Sequence, residues 1–201
     1  MTSSPPGRPP RADAVRNRAR VLAAAEAVFA ARGASASTEE VAREAGVGIG
    51  TVFRHFPTKE SLLEAVLAAL LERLAAEARG LLDADDPGAA FFGFLARVVG
   101  RAAAERAVSE ALAWAGGDAG EAAGRAAPGL ASELGALLRR AQEAGAVRAD
   151  VEPAQVTALL AGLSYAAGRA GAGDDVLRIV FDGLRPDAAR GTGPQGRPRR
   201  A

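Results

Sequence analysis

The sequence predicts an all-α protein, and three observations carry that prediction. Apolar residues recur at helical spacing along most of the chain. No alternating strand pattern interrupts them, and no repeat with a period of roughly 20 to 50 residues appears. Of the 201 residues, 49% are hydrophobic but only 4% aromatic, so an Ala-rich core must be filled by closely packed, small-faced helices.

The elements follow in order. Residues 2–10 are rich in Pro, Ser and Gly and read as disordered. A helix is expected over 12–32, with Val21, Leu22, Ala25, Val28 and Phe29 as its apolar stripe and Gly33 as its stop. Residues 37–56 read as two short helices joined by a tight turn. Thr38 suits an N-cap, and Glu39 and Glu40 suit the positive end of a helix. Val41, Ala42 and Ala45 have helical spacing, Gly46 stops the first helix, and Val47 is an apolar plug before a second helix that runs to His55. Pro57 breaks the chain, and Thr58 with Ser61 caps a long helix reaching to 82, with Leu62, Leu63, Val66, Leu67, Leu70, Leu71 and Leu74 inward.

Beyond a polar turn at 83–88, helices are expected over 87–104 and 105–115, followed by an irregular Gly-rich stretch at 116–124. Pro128 is expected to open a helix ending near 144–145, and Pro153 another reaching 170. The last helix spans 174–184. The expected division is a disordered basic arm at 1–13, a head at 14–74, a helical domain at 75–184 and a disordered basic tail at 185–201.

Composition excludes several functions. There is no Cys, hence no disulfide or thiolate metal site, and a single His cannot build a metal centre. No phosphate loop or metal-ligand spacing is present, so neither enzyme, metal nor cofactor is expected. No apolar run approaches the roughly 18 residues of a membrane span, and residues 1–11 lack the apolar segment of a signal peptide. A cytoplasmic protein that avoids membranes is the expectation. Net charge is +1, but residues 1–20 and 185–201 each carry five Arg and one Asp, or +4. Residues 21–184 therefore carry 1 − 8 = −7, so attraction for a polyanion is local to the ends.

A short helix, a Gly turn and a second helix make the helix-turn-helix plan, which lays its second helix in the major groove of DNA. Gly48 and Gly50 each cost a helix about 1 kcal/mol relative to Ala, so the second helix must be held by Val47, Val52 and Phe56. The missing side chains would let backbone approach a phosphate or base edge. Ile49 could press on a thymine methyl, and Thr51 and Arg54 could donate to base edges or phosphate, Arg being able to grip guanine with two bonds. Arg8, Arg11, Arg16 and Arg18 could follow the backbone or enter a minor groove. Phe53 either packs in the core or faces the duplex.

The run Gly46-Val47-Gly48-Ile49-Gly50-Thr51-Val52-Phe53-Arg54-His55-Phe56-Pro57-Thr58-Lys59-Glu60-Ser61-Leu62 resembles the DNA-binding signature of TetR-family transcriptional regulators. Ala24, Ala25, Phe29, Arg32 and Gly33 upstream fit the same family, and the resemblance covers 14–74. It implies DNA contacts at Thr38, Gly48, Ile49, Thr51, Phe53, His55 and Lys59, with Thr38 and Lys59 as phosphate clamps. Phe53 departs from the family's commoner Tyr and lacks the hydroxyl for a phosphate bond.

The resemblance also implies a helical ligand-binding and dimerisation domain behind the head. Its dimer helices would carry Leu159, Gly162, Leu163, Ala166, Val176, Ile179 and Val180, although such apolar faces also suit an ordinary intramolecular core. A cavity for a small apolar effector would draw on Phe91, Phe94, Leu95, Val98, Trp114, Leu134 and Tyr165, although aromatic residues at helical spacing also suit a plain core. The implied function is a repressor that binds a palindromic operator in double-stranded DNA as a homodimer and is released by the effector. The competing reading is an architectural DNA-binding protein with no effector.

Overall fold

A computed structural model of the chain describes residues 10–170 and 173–186. Eight α-helices and one 3₁₀ turn make up the described residues, without a strand: α1 Pro10–Arg32, the 3₁₀ turn Gly33–Ser35, α2 Thr38–Glu44, α3 Ile49–His55, α4 Lys59–Gly80, α5 Pro87–Trp114, α6 Ala119–Glu143, α7 Pro153–Ala170 and α8 Gly173–Leu184. The chain forms two compact units, one of residues to 76 with 101–130, the other of 77–100 with the residues from 131. It passes from one to the other within α4, α5 and α6.

In the first unit Val21, Ala25 and Phe29 of α1, Val41 of α2, Val52 of α3 and Leu62, Leu63 and Leu67 of α4 are sealed from solvent. They join Val108, Ala111 and Leu112 near the end of α5 in one apolar core. The predicted stripe of α1 and, of the inward residues of α4, Leu62, Leu63, Val66, Leu67, Leu70 and Leu71 are thus the residues that meet. Two ion pairs brace the surface of this unit, Arg73 to Glu26 at 2.6 Å and Arg125 to Glu64 at 3.0 Å.

The second unit has a separate core. Phe91, Phe94 and Leu95 of α5, Leu134, Leu137 and Leu138 of α6 and Val156 of α7 are buried in it. The Phe92 ring meets Phe91 edge-on at 5.4 Å and Phe181 of α8 at 5.0 Å, with the Arg185 guanidinium 4.8 Å above it. The Gln142 amide donates to the carbonyls of Arg148 and Val151, and the Arg148 amide donates to the Leu184 carbonyl at 2.9 Å, which ties the 147–152 loop to the end of α8.

Several expected boundaries differ. α1 begins at Pro10, so the last residues of the expected disordered arm are helical. The expected break at 104–105 is absent, and α5 runs 28 residues without interruption. Residues 101–107 contain only Arg, Ala and Glu, good helix formers that offer no reason to stop. The Gly-rich stretch is also helical from Ala119. Asp118 supplies the cap, its carboxylate accepting from the Glu121 amide at 2.9 Å. Pro128 consequently lies inside α6 rather than at its start, where it removes one backbone donor from the ladder. The N-cap of α2 is Ser37, not Thr38, which is the first helical residue and is buried.

α2 ends as the sequence predicts, by a Gly in the left-handed region. Gly46 has φ 62°, its amide donates to the Arg43 carbonyl at 3.1 Å, and the Val47 amide reaches back to the Ala42 carbonyl at 3.0 Å. A Cβ there would also stand 3.1 Å from a guanidinium nitrogen of Arg20. Gly46→Ala is expected to destabilise the protein by about 1–2 kcal/mol in a denaturant titration, through left-handed strain.

Candidate nucleic-acid interface

The head is assembled by a few local devices. Ser37 accepts from the Glu40 amide at 3.3 Å while the Glu40 carboxylate accepts from the Ser37 amide at 2.9 Å, a reciprocal capping box. The other Glu40 oxygen pairs with Arg32 of α1, so one carboxylate caps α2 and fastens it to its neighbour. Glu39 sits at the same helix start. Its carboxyl is held below the ordinary glutamate range, first by a backbone N–H and then by the Ser37 side chain. Arg20 donates to the Ala45 and Gly46 carbonyls, clamping the turn between α2 and α3 onto α1.

α3 has seven residues and Gly48 as its N-cap, with no side-chain cap bond. Val52 is fully buried and Phe56 is 3% exposed, and Val47 packs at the edge of the same core. The opposite face is bare. Ile49, Gly50, Phe53 and Arg54 are exposed and fall at positions i, i+1, i+4 and i+5, which is one side of a helix. Ile49 is 37% and Phe53 43% exposed, so Phe53 belongs to this outer stripe and not to the core. Arg54 is exposed and has no ion pair or hydrogen bond among the described residues. Thr51 and His55 flank the stripe, half-buried. A Cβ built on Gly48 or Gly50 would meet no atom within 4 Å, and neither residue has a positive φ. Nothing inside the protein therefore requires glycine at these two positions.

The other expected contacts are placed differently. Thr38 is only 9% exposed. The Lys59 ammonium donates to the Ala34 carbonyl at 3.0 Å and lies 5.5 Å from the centre of the Phe29 ring, pinning the start of α4 to the 3₁₀ turn. Thr58 and Ser61 cap α4 reciprocally, as the sequence predicts, with bonds of 3.0 and 3.1 Å. Arg16 pairs with Asp13, and the Arg18 guanidinium covers Phe56 at 5.2 Å. Arg8 and the Arg11 side chain lie outside the described residues.

Sequence reasoning missed Arg20 and Arg32 as the struts of the motif. Their signal was a basic residue on α1 with no acid of its own one turn away, but only the fold shows which carbonyls and carboxylate they reach.

In the second unit, Phe91 and Phe94 are fully buried, and Leu95, Val98 and Leu134 are at most 7% exposed. Trp114 does not line an enclosed cavity. It is the last residue of α5, in the first unit, and is 83% exposed because the helix ends beneath it. On α7 and α8, Leu163 is buried, Val176 and Val180 are half-buried, and Leu159, Gly162 and Ile179 are exposed, Ile179 at 68%. The side chains of Tyr165 and Ala166 lie outside the described residues.

A sequence profile described as bacterial regulatory proteins, tetR family, matches residues 21–66, and one described as transcriptional regulator SbtR-like, C-terminal domain, matches 86–186. A TetR transcription regulatory protein from Mycobacterium vanbaalenii is 46% identical, covering 89% of this chain and 100% of its own, with a TM-score of 0.75. The TetR regulator SCO0520 from Streptomyces coelicolor is 36% identical over 85% of this chain and 99% of its own, with a TM-score of 0.72. A third structure, described as the molecular basis for control of antibiotic production by bacterial hormones, is 25% identical over 89% of this chain and 100% of its own, with a TM-score of 0.64. No curated protein matches the chain. The two profiles fall on the two halves of the same architecture, and the helix-turn-helix of α2 and α3 lies within the first: the chain belongs to the TetR family of transcriptional regulators and carries that family's DNA-binding head.

Proposed function

We propose that this regulator is a repressor that binds a palindromic operator as a homodimer and leaves it when a small effector binds. The observation that carries the reading is the outer stripe of α3. Ile49, Phe53 and an unpaired Arg54 stand out beside two glycines that the fold itself does not need. Exposed apolar groups one turn apart suit thymine methyls, the guanidinium suits guanine, and bare backbone suits close approach. Thr51 and His55 flank the same face, and Lys59 would have to leave the Ala34 carbonyl to reach a phosphate. Arg16 and Arg18, with Arg8 and Arg11 before them, supply charge at the start of α1.

One α3 reads only a few base pairs, so two heads on one body are needed for useful affinity. Leu159 and Ile179 give α7 and α8 an apolar surface, and Gly162 permits close approach of a second copy. Effector control is supported by the related protein described in terms of bacterial hormones. The packed burial of Phe91, Phe94, Leu95, Val98 and Leu134 favours the competing, effector-free reading, in which no small molecule would alter melting or DNA affinity. In the proposed division, 14–74 is the DNA-binding part and 75–184 the effector and dimer part.

Selection of bound DNA from a random pool tests the whole reading: a two-fold symmetric site is expected, and sequence-independent retention would refute it. Gly50→Ala should stabilise the fold by about 0.5–1 kcal/mol by chemical denaturation, yet weaken operator binding at least about ten-fold. Arg54→Ala should relax base preference at one position per half-site in competition binding, with a loss of about 1–3 kcal/mol confined to the preferred base. Ile179→Asp should shift the dimer toward monomer in analytical ultracentrifugation without loss of helix content by circular dichroism.

A further inference from the structure

Arg106 lies on the stretch of α5 that belongs to the first unit. Ala102, one turn before it on the same helix face, is buried, so the root of the Arg106 side chain lies beside packed residues. Two other guanidiniums of the same unit are well partnered. Arg73 meets Glu26 at 2.6 Å, and Arg125 meets Glu121 at 2.7 Å and Glu64 at 3.0 Å. Arg106 differs from these in being both part-buried and loosely paired. Its Nε is 3.7 Å from the Glu110 carboxylate, beyond hydrogen-bond range, and its Nη1 is sealed from solvent with no acceptor. It is the one buried side-chain polar atom without a partner among the described residues. Native proteins rarely leave such a donor unmet, least of all on a cation.

We propose that Arg106 is the anchor for the carboxylate of a small monoanionic organic effector. The inference rests on the effector reading above and gives that effector a chemical class. A guanidinium presents paired N–H groups that match a carboxylate. The acids beside it set the charge. Glu105 precedes Arg106 and Glu110 follows one turn later, so a dianion such as phosphate would meet about twice the repulsion that a single carboxylate meets. Glu105 itself has no partner among the described residues, and burial pushes its carboxyl above the ordinary range, which lessens the negative charge it turns on an incoming anion.

The geometry also supplies a coupling. The Arg106 side chain is 30% exposed and reachable, but Nη1 is sealed. An acceptor can meet Nη1 only if the side chain or the helices around it shift. The carboxylate therefore binds a rearranged state better than the one described here, which is the differential affinity that an allosteric effector needs.

The test uses the full-length protein and its Arg106→Met variant, with octanoate and benzoate as probes and octanol and benzyl alcohol as neutral counterparts. Without ligand, the Met variant should melt about 2–6 °C higher, since an unpaired buried donor has been removed. The unaltered protein should bind at least one acid about ten-fold or more tightly than its alcohol by calorimetry, and the variant should lose that preference. A lower melting temperature in the variant would make Arg106 a structural residue and overturn the proposal. So would equal binding of acids and alcohols, or binding of neither acid. If the Met variant fails to fold, Arg106→Gln carries the same calorimetric comparison. Operator release is measured alongside. Acid binding at Arg106 without release sustains this site and defeats the repressor-release reading, whereas release by the alcohols in both proteins does the reverse.

Discussion

The head depends on the docking of α3 by two side chains. A helix of seven residues that begins at one glycine and contains another has no independent stability in water. It persists because Val52 and Phe56 are locked into a core shared with α1 and α4, and because Arg20 holds the preceding turn by its carbonyls. That arrangement frees the other side of the helix from any structural duty. The residues there can be chosen for what they touch outside the protein, and the two glycines can be kept although they weaken the helix that carries them.

The supporting contacts share a pattern. Glu40, Lys59 and Arg20 each join a helix end to a neighbouring element through charge-assisted hydrogen bonds at backbone or carboxylate groups. The core supplies adhesion but, being built largely of Ala, Leu and Val, few shapes that lock in only one way. Polar contacts at helix ends supply register. Lys59 serves as a strut in this state, and engagement of a phosphate would exchange one oxygen partner for another.

Much of the head was legible in the sequence because its signals are local. Gly46 as a stop, Thr58 with Ser61 as a cap and Pro153 as a helix opener act within one turn of themselves. The longer helices were less legible. Ala-rich sequence carries little punctuation, so the junction within α5 looked like a boundary and is not one, and Asp118 outweighs the glycines after it at the start of α6. The outer stripe of α3 was readable in part, at Ile49 and Arg54, with Thr51 at its edge, while spacing left the outward turn of Phe53 open. The inward turn of Thr38 and the Ala34 bond of Lys59 were not, since both depend on elements some 20 or more residues away or on burial that only packing decides.

The exposed end of α5 has an optical consequence. The chain's only indole, on Trp114, is already in water when the protein is folded. Its emission should hardly change when the cores come apart, and should move to shorter wavelength when something covers that end of the helix. The molecule thus carries a native fluorophore that is silent to unfolding and responsive to encounter.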